Sequence, residues 1–101
     1  ASTADMLAEM GYDIVEAGSA EEALRLLDEG LMPDLLITDH LMPGQNGTEL
    51  ARDMIRRVPG IHTLIVSGYA EVESIAPDLP RLVKPFRLAD LLARLNETAE
   101  D

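Results

Sequence analysis

The stretch Asp34-Leu35-Leu36-Ile37-Thr38-Asp39-His40-Leu41-Met42-Pro43-Gly44 decides how this chain folds. Leu35 to Asp39 reads as a strand buried on both faces, since nothing polar interrupts it until Thr38, and it carries a carboxylate, Asp39, at its last position. Met42-Pro43-Gly44 then turns the chain at once. A carboxylate so placed stands at the C-terminal rim of a sheet, where open α/β folds gather their chemistry.

Outward from that strand, element types alternate. Ser2 to Met10 reads as a helix with Leu7 and Met10 on one face, stopped by Gly11. Asp13 to Ala17 reads as a short strand. Ser19 and Glu22 form a capping-box pattern, and Ala20, Ala23, Leu24 and Leu27 give the following helix a buried face until Gly30. Downstream, a helix is expected from about Thr48 to Arg57, with Leu50, Ala51, Met54, Ile55 and Val58 facing inward. His62 to Val66 is the next strand, closed by Ser67-Gly68. Tyr69 to Pro80 is irregular, since Pro77 and Pro80 leave room for one or two helical turns at most. Arg81 to Val83 is a last short strand, and Leu88, Leu91, Leu92 and Leu95 line a final helix. Such alternation predicts a parallel sheet sandwiched by helices.

The chain has 101 residues, enough for one domain, with 47% hydrophobic residues and only three aromatic ones, so its core must be aliphatic. Nineteen acidic residues against eight basic ones leave a net charge of −11, which repels a nucleic-acid backbone and suits a solvated surface. There is no Cys, so thiol catalysis and disulfides are excluded. No apolar run has transmembrane length, no signal-peptide pattern opens the chain, and a cytoplasmic location with no membrane contact is expected.

Three predicted strands end in a polar or charged residue: Asp39, Ser67 and Lys84. In a parallel sheet these ends share one rim. A carboxylate, a hydroxyl and an ammonium gathered there suit phosphoryl transfer onto the carboxylate. Asp39 would be the nucleophile, Lys84 would balance charge on the phosphoryl oxygens, and Ser67 would donate a hydrogen bond to one of them. A divalent metal, magnesium by chemistry, would offset the remaining charge. A phosphatase would share the Asp nucleophile and would need a nearby acid, for which His40 is the candidate in sequence. A flavodoxin-like cofactor binder is disfavoured, because no strand leads into a Gly-rich phosphate cradle.

At these residues the chain resembles the receiver domain of two-component response regulators, across essentially its whole length. Asp39-His40-Leu41-Met42-Pro43-Gly44-Gln45-Asn46-Gly47 is similar to the family's phosphoacceptor segment. Leu64-Ile65-Val66-Ser67-Gly68 is similar to its fourth strand, which ends in the switch Ser or Thr. Val83-Lys84-Pro85-Phe86 resembles its Lys-Pro-Phe, in which the Lys-Pro bond is typically cis. The resemblance implies a flavodoxin-like, doubly wound parallel sheet of order 2-1-3-4-5, with residues 1–101 forming one N-terminally incomplete receiver domain. It implies that Asp39 accepts a phosphoryl group from a phosphohistidine on a histidine kinase or phosphotransfer domain. It also implies that the main-chain carbonyl of Leu41 joins Asp39 in holding magnesium, and that Leu41 and Tyr69 flank the path of the hydrolytic water.

Three departures from the family pattern carry expectations of their own. The first strand, with the acidic pair that holds magnesium, is missing from this sequence, which is therefore expected to be part of a longer polypeptide; the alternative is a pseudo-receiver that serves only as a protein-interaction module. Arg81 stands where an aromatic switch partner is usual. The fourth helix is reduced by its prolines, so dimerisation through it should not be assumed, and the oligomeric state is left open. Ser67-Gly68-Tyr69-Ala70 and Asp78-Leu79-Pro80 make the chain similar to receivers at the C-terminus of hybrid sensor histidine kinases.

Overall fold

The computed structural model describes residues 3–42, 44–68, 70–71, 75 and 77–100. Seven elements follow in chain order: α1 (Thr3–Glu9), α2 (Ala20–Asp28), β1 (Leu35–Asp39), α3 (Gly47–Arg57), β2 (His62–Ser67), β3 (Arg81–Val83) and α4 (Leu88–Glu100). The three strands form one parallel sheet in the order β1-β2-β3. Leu35 to Asp39 align with His62 to Val66, and Ile65 to Ser67 align with Arg81 to Val83. This register brings all three C-terminal ends to one rim.

Side-chain alternation along the strands divides the core into two layers. On one face Leu64 and Leu82 pack with Leu7 of α1 and Leu91 and Leu95 of α4, joined by Leu35 and Ile37. On the other, Leu36 meets Ala20 and Ala23 of α2 and Leu50 and Met54 of α3, while Ile65 packs on Ala51, Ile75 and Leu79. Helices therefore cover both faces of a parallel sheet, the doubly wound arrangement expected from the alternation of elements. Local signals set the helix starts. The Ser19 hydroxyl accepts from the Glu22 N–H, and the Glu22 carboxylate reaches back to Gly18 rather than to Ser19 itself. Asn46 and Glu49 make a full capping box that starts α3 one residue before the expected Thr48.

Several expectations are corrected. Asp13 to Ala17 is not a strand: these residues are exposed, with Val15 at 57%. The reason is that a strand exists only through its ladder, and no described strand pairs with this segment. For the same reason β1 is less buried than expected: Leu35, Leu36 and Ile37 are only half-buried, since β2 is the one described strand that pairs with it. Ile55, expected to face inward, is exposed at the margin of α3, because 100° of rotation per residue carries it past the buried Leu50, Ala51 and Met54. Met10 falls beyond the end of α1 and is also exposed. The reduced fourth helix is expected over Tyr69 to Pro80, where residues 69, 72–74 and 76 lie outside the described residues; none of the described residues there is α-helical. Ile75 and Leu79 nevertheless bury their side chains there.

Candidate functional site at the sheet rim

Asp39 is the last residue of β1, and the ladder runs one step beyond it, with the His40 N–H donating to the Val66 carbonyl at 2.9 Å. The β2–β3 ladder is extended likewise by the Lys84 N–H, which donates to the Ser67 carbonyl at 2.8 Å. Lys84 then reaches past the end of β2 to place Nζ 2.9 Å from Asp39 Oδ1. β1 and β3 both neighbour β2, so they stand about 10 Å apart, a gap suited to a long cationic side chain. The peptide bond from Lys84 to Pro85 is cis.

The Asp39–Lys84 pair is half exposed on both sides, at 56% and 51%. An ion pair this wet contributes roughly 0–1 kcal/mol to stability. Its importance is positional: it holds a carboxylate and an ammonium facing each other at an open rim, where a further anion can share the cation. Ser67 differs in setting. It is 3% exposed, and its hydroxyl has no hydrogen-bond partner among the described residues. A buried hydroxyl without a partner among the described residues is uncommon, and this one sits at the end of β2, the strand between those that carry Asp39 and Lys84.

The main chain around Asp39 is closely held. The Thr38 hydroxyl donates to the Asp39 carbonyl at 2.9 Å. Gly47, the first residue of α3, donates its N–H to the His40 carbonyl at 2.7 Å. A Cβ at Gly47 would collide with the Asp39 carbonyl oxygen and stand 2.9 Å from His40 Cα. Glycine is thus required by the closeness of α3 to the backbone at the end of β1. His40 is 3% exposed, with Nδ1 3.4 Å from the Thr48 hydroxyl, so its ring is turned to α3.

Leu41 is 65% exposed in the loop that follows. Tyr69 and Pro43 lie outside the described residues. Among the described residues no group of three or more acidic, His or Cys side chains could hold a metal. The half-exposed Asp39 carboxylate is an oxygen donor of the kind magnesium takes, since that ion commonly binds one or two carboxylates and keeps several waters.

Beside the rim, two arginines hold the connection between β2 and β3. Arg81 donates to the carbonyls of Ile75 and Leu79, both at 3.3 Å. Arg52 of α3 makes a two-pronged contact with Asp78, at 2.8 Å on each prong. Hydrogen bonding from Arg52 holds the Asp78 carboxyl below the usual carboxylate range, and the same contact raises Arg52. The sequence reading missed this pair, as it missed Thr48 and the closeness of Gly47.

Comparison with known proteins adds to this geometry. Residues 1–96 match the family model described as response regulator receiver domain. The chain is 37% identical over 97 residues to the sensor kinase CckA of Brucella abortus, covering 89% of this chain and 10% of that protein. It is 33% identical over 96 residues to the response regulator receiver protein CpdR of the same organism, covering 90% of this chain and 79% of that protein. Among solved structures, the receiver domain of NtrX from Brucella abortus superposes with a TM-score of 0.83 at 21% identity, covering 96% of this chain and 86% of that one. A response regulator receiver protein from Sinorhizobium medicae superposes with a TM-score of 0.81 at 23% identity, covering 95% and 81%. Relatives differ widely in length: the chain spans a tenth of the sensor kinase and 45% of the transcriptional regulatory protein PdtaR of Mycobacterium tuberculosis. With the family model matched over nearly its whole length, the chain belongs to the response regulator receiver domains of two-component systems.

Proposed function

We propose that this domain, residues 1–101, accepts a phosphoryl group on Asp39 from a phosphohistidine of a histidine kinase or histidine phosphotransfer partner. The bond between phosphorus and the donor imidazole nitrogen breaks as a bond to an Asp39 carboxylate oxygen forms, and the imidazole leaves with a proton in place of the phosphoryl group. The observation that carries this reading is the Lys84 ammonium, brought from a different strand to within 2.9 Å of Asp39. Lys84 would remain on the phosphoryl oxygens, and the Ser67 hydroxyl, without a partner among the described residues, would donate to one of them. Magnesium, when bound, supplies positive charge against those oxygens. Asp39 and the Leu41 main-chain carbonyl would contribute to holding it.

On this reading the domain is a signalling switch rather than an enzyme. The match to a sensor kinase supports a place in a hybrid sensor histidine kinase, and a cytoplasmic location is proposed with it. The net charge of −11 supports protein rather than nucleic-acid partners. Among the described residues no helix is long and apolar enough to cross a membrane. The test is intact mass of the full-length protein before and after incubation with acetyl phosphate and magnesium. A gain of one phosphoryl group is expected, abolished by Asp39→Asn and slowed by Lys84→Gln. No gain, or a gain that survives Asp39→Asn, overturns the reading and leaves an interaction module.

A further inference from the structure

His40 is a buried imidazole next to the phosphoacceptor, and the scheme above gives it no part. It is held from three sides. Its N–H is bound to Val66 of β2 at 2.9 Å, and its carbonyl accepts from Gly47 at the start of α3 at 2.7 Å. Its ring Nδ1 lies 3.4 Å from the hydroxyl of Thr48, the next residue of the same helical turn. Only 3% of the residue is exposed. The main-chain bonds could be made by almost any residue. The ring contact requires a polar group at this position and a hydroxyl at residue 48.

A buried ring nitrogen is costly unless it is paired, so its pairing direction is the informative feature. Here it faces the first turn of α3, which Asn46 and Glu49 cap and which approaches the Asp39 carbonyl too closely for any side chain at Gly47. The ring contact therefore joins the end of β1 to the first turn of α3, beside the close approach of Gly47 to the Asp39 carbonyl.

We propose that His40 is a positioning residue for phosphoryl transfer, its imidazole docked on the Thr48 hydroxyl so that the peptide between Asp39 and His40, and with it the acceptor carboxylate, is fixed against α3. The role rests on Asp39 being the acceptor. It acts through Asp39 and does not touch the phosphoryl group. Placement matters at this scale because a shift of about 1 Å in a reacting atom costs as much as a hundredfold in rate.

Thr48→Val and Thr48→Ser separate hydrogen bonding from packing, since the first keeps the shape without the hydroxyl and the second keeps the hydroxyl without the methyl. The full-length protein is labelled with acetyl phosphate and magnesium; the acetyl oxygen–phosphorus bond breaks, acetate leaves, and the new bond forms to Asp39. Thr48→Val is expected to label about tenfold more slowly at saturating donor, and Thr48→Ser at close to the original rate. His40→Phe should be slow as well, and the double variant with Thr48→Val no slower than either single one. A reading independent of labelling comes from nitrogen-15 NMR, where the His40 Nδ1 resonance should move in Thr48→Val and stay in place in Thr48→Ser.

Thr48→Val labelling at the original rate overturns the proposal, as does Thr48→Ser slowed equally or an unmoved Nδ1 resonance. These outcomes leave Asp39 as acceptor. If the unmodified protein takes no label, the acceptor reading itself falls and the positioning role falls with it. Should His40→Phe fail to fold, the two Thr48 variants and the NMR shift decide alone.

Discussion

Gly47→Ala sets two physical effects against each other. Gly47 opens α3, and helix propensity favours Ala over Gly by up to about 1 kcal/mol in a helix interior, less at the first position. No left-handed backbone angle at residue 47 opposes the change, because the positive-φ glycines are Gly11, Gly30, Gly44 and Gly60. Sterics point the other way. The new methyl would collide with the Asp39 carbonyl oxygen and lie 2.9 Å from His40 Cα and 3.0 Å from the Asp39 carbonyl carbon. Carbon atoms pack at about 3.5–4.0 Å, and every atom in the way is backbone, so no side chain can rotate aside. Relief requires α3 to move off β1, which loosens Leu50, Ala51 and Met54 in the core. Overpacking of this kind costs about 1–3 kcal/mol, which exceeds the propensity gain. Net destabilisation should be about 1–2 kcal/mol, with melting lowered by about 4–8 °C per kcal/mol for a domain of this size. Urea and thermal melts of the two proteins provide the measurement. A Gly47→Ala protein as stable as the original, or more so, would refute the steric argument and leave propensity in command.

Ser67→Ala removes a buried hydroxyl with no partner among the described residues, so stability should hold or rise by up to about 1 kcal/mol in chemical denaturation, while the conformational response to labelling is lost. A clear loss of stability would mean the hydroxyl is hydrogen-bonded. Leu41→Asn alters a side chain that is 65% exposed and should change stability by no more than about 0.5 kcal/mol. The lifetime of the acyl phosphate should shorten as bulk is taken from the approach of water, and an unchanged lifetime rejects that role. The Asp78 carboxyl is lowered, chiefly by its hydrogen bond from Arg52, so its contribution to stability is complete above the ordinary carboxylate range. It is lost as pH falls through the lowered folded value. Arg52→Gln should return the Asp78 titration midpoint, followed by NMR, upward toward the ordinary range.

The strands around Asp39, Ser67 and Lys84 were legible because apolar runs ended by turn residues have few other readings, and a parallel sheet forces such ends together. Asp13 to Ala17 misled for a related reason: Ile14-Val15 is strand-like in residue type, yet hydrogen bonding to a neighbour, which no local pattern encodes, decides whether a strand forms. Ile55 failed because one residue of helical rotation separates a buried face from its margin. The capping box at Asn46 was readable from Glu49 three residues on. Two features left no trace in periodicity: the approach of α3 to the Asp39 carbonyl, and the Thr48–His40 contact. Both depend on how a helix is seated, and only the small residue at position 47 hints at it.

The third strand is three residues long, and a cation stands at each end of it. Arg81 begins it and grips the carbonyls of Ile75 and Leu79; Lys84 follows it and grips Asp39. At about 3.3 Å per residue the two grips lie about 10 Å apart along the chain. β2 is the bearing on which this short lever rests, through Ile65 at one end and Ser67 at the other. Charge added at Asp39, as proposed above, would draw on Lys84 and so load the same ladder that sets where the Arg81 guanidinium sits. Among the described residues, Ile75 and Leu79 are thereby joined to the Asp39–Lys84 pair through the main chain of one three-residue strand.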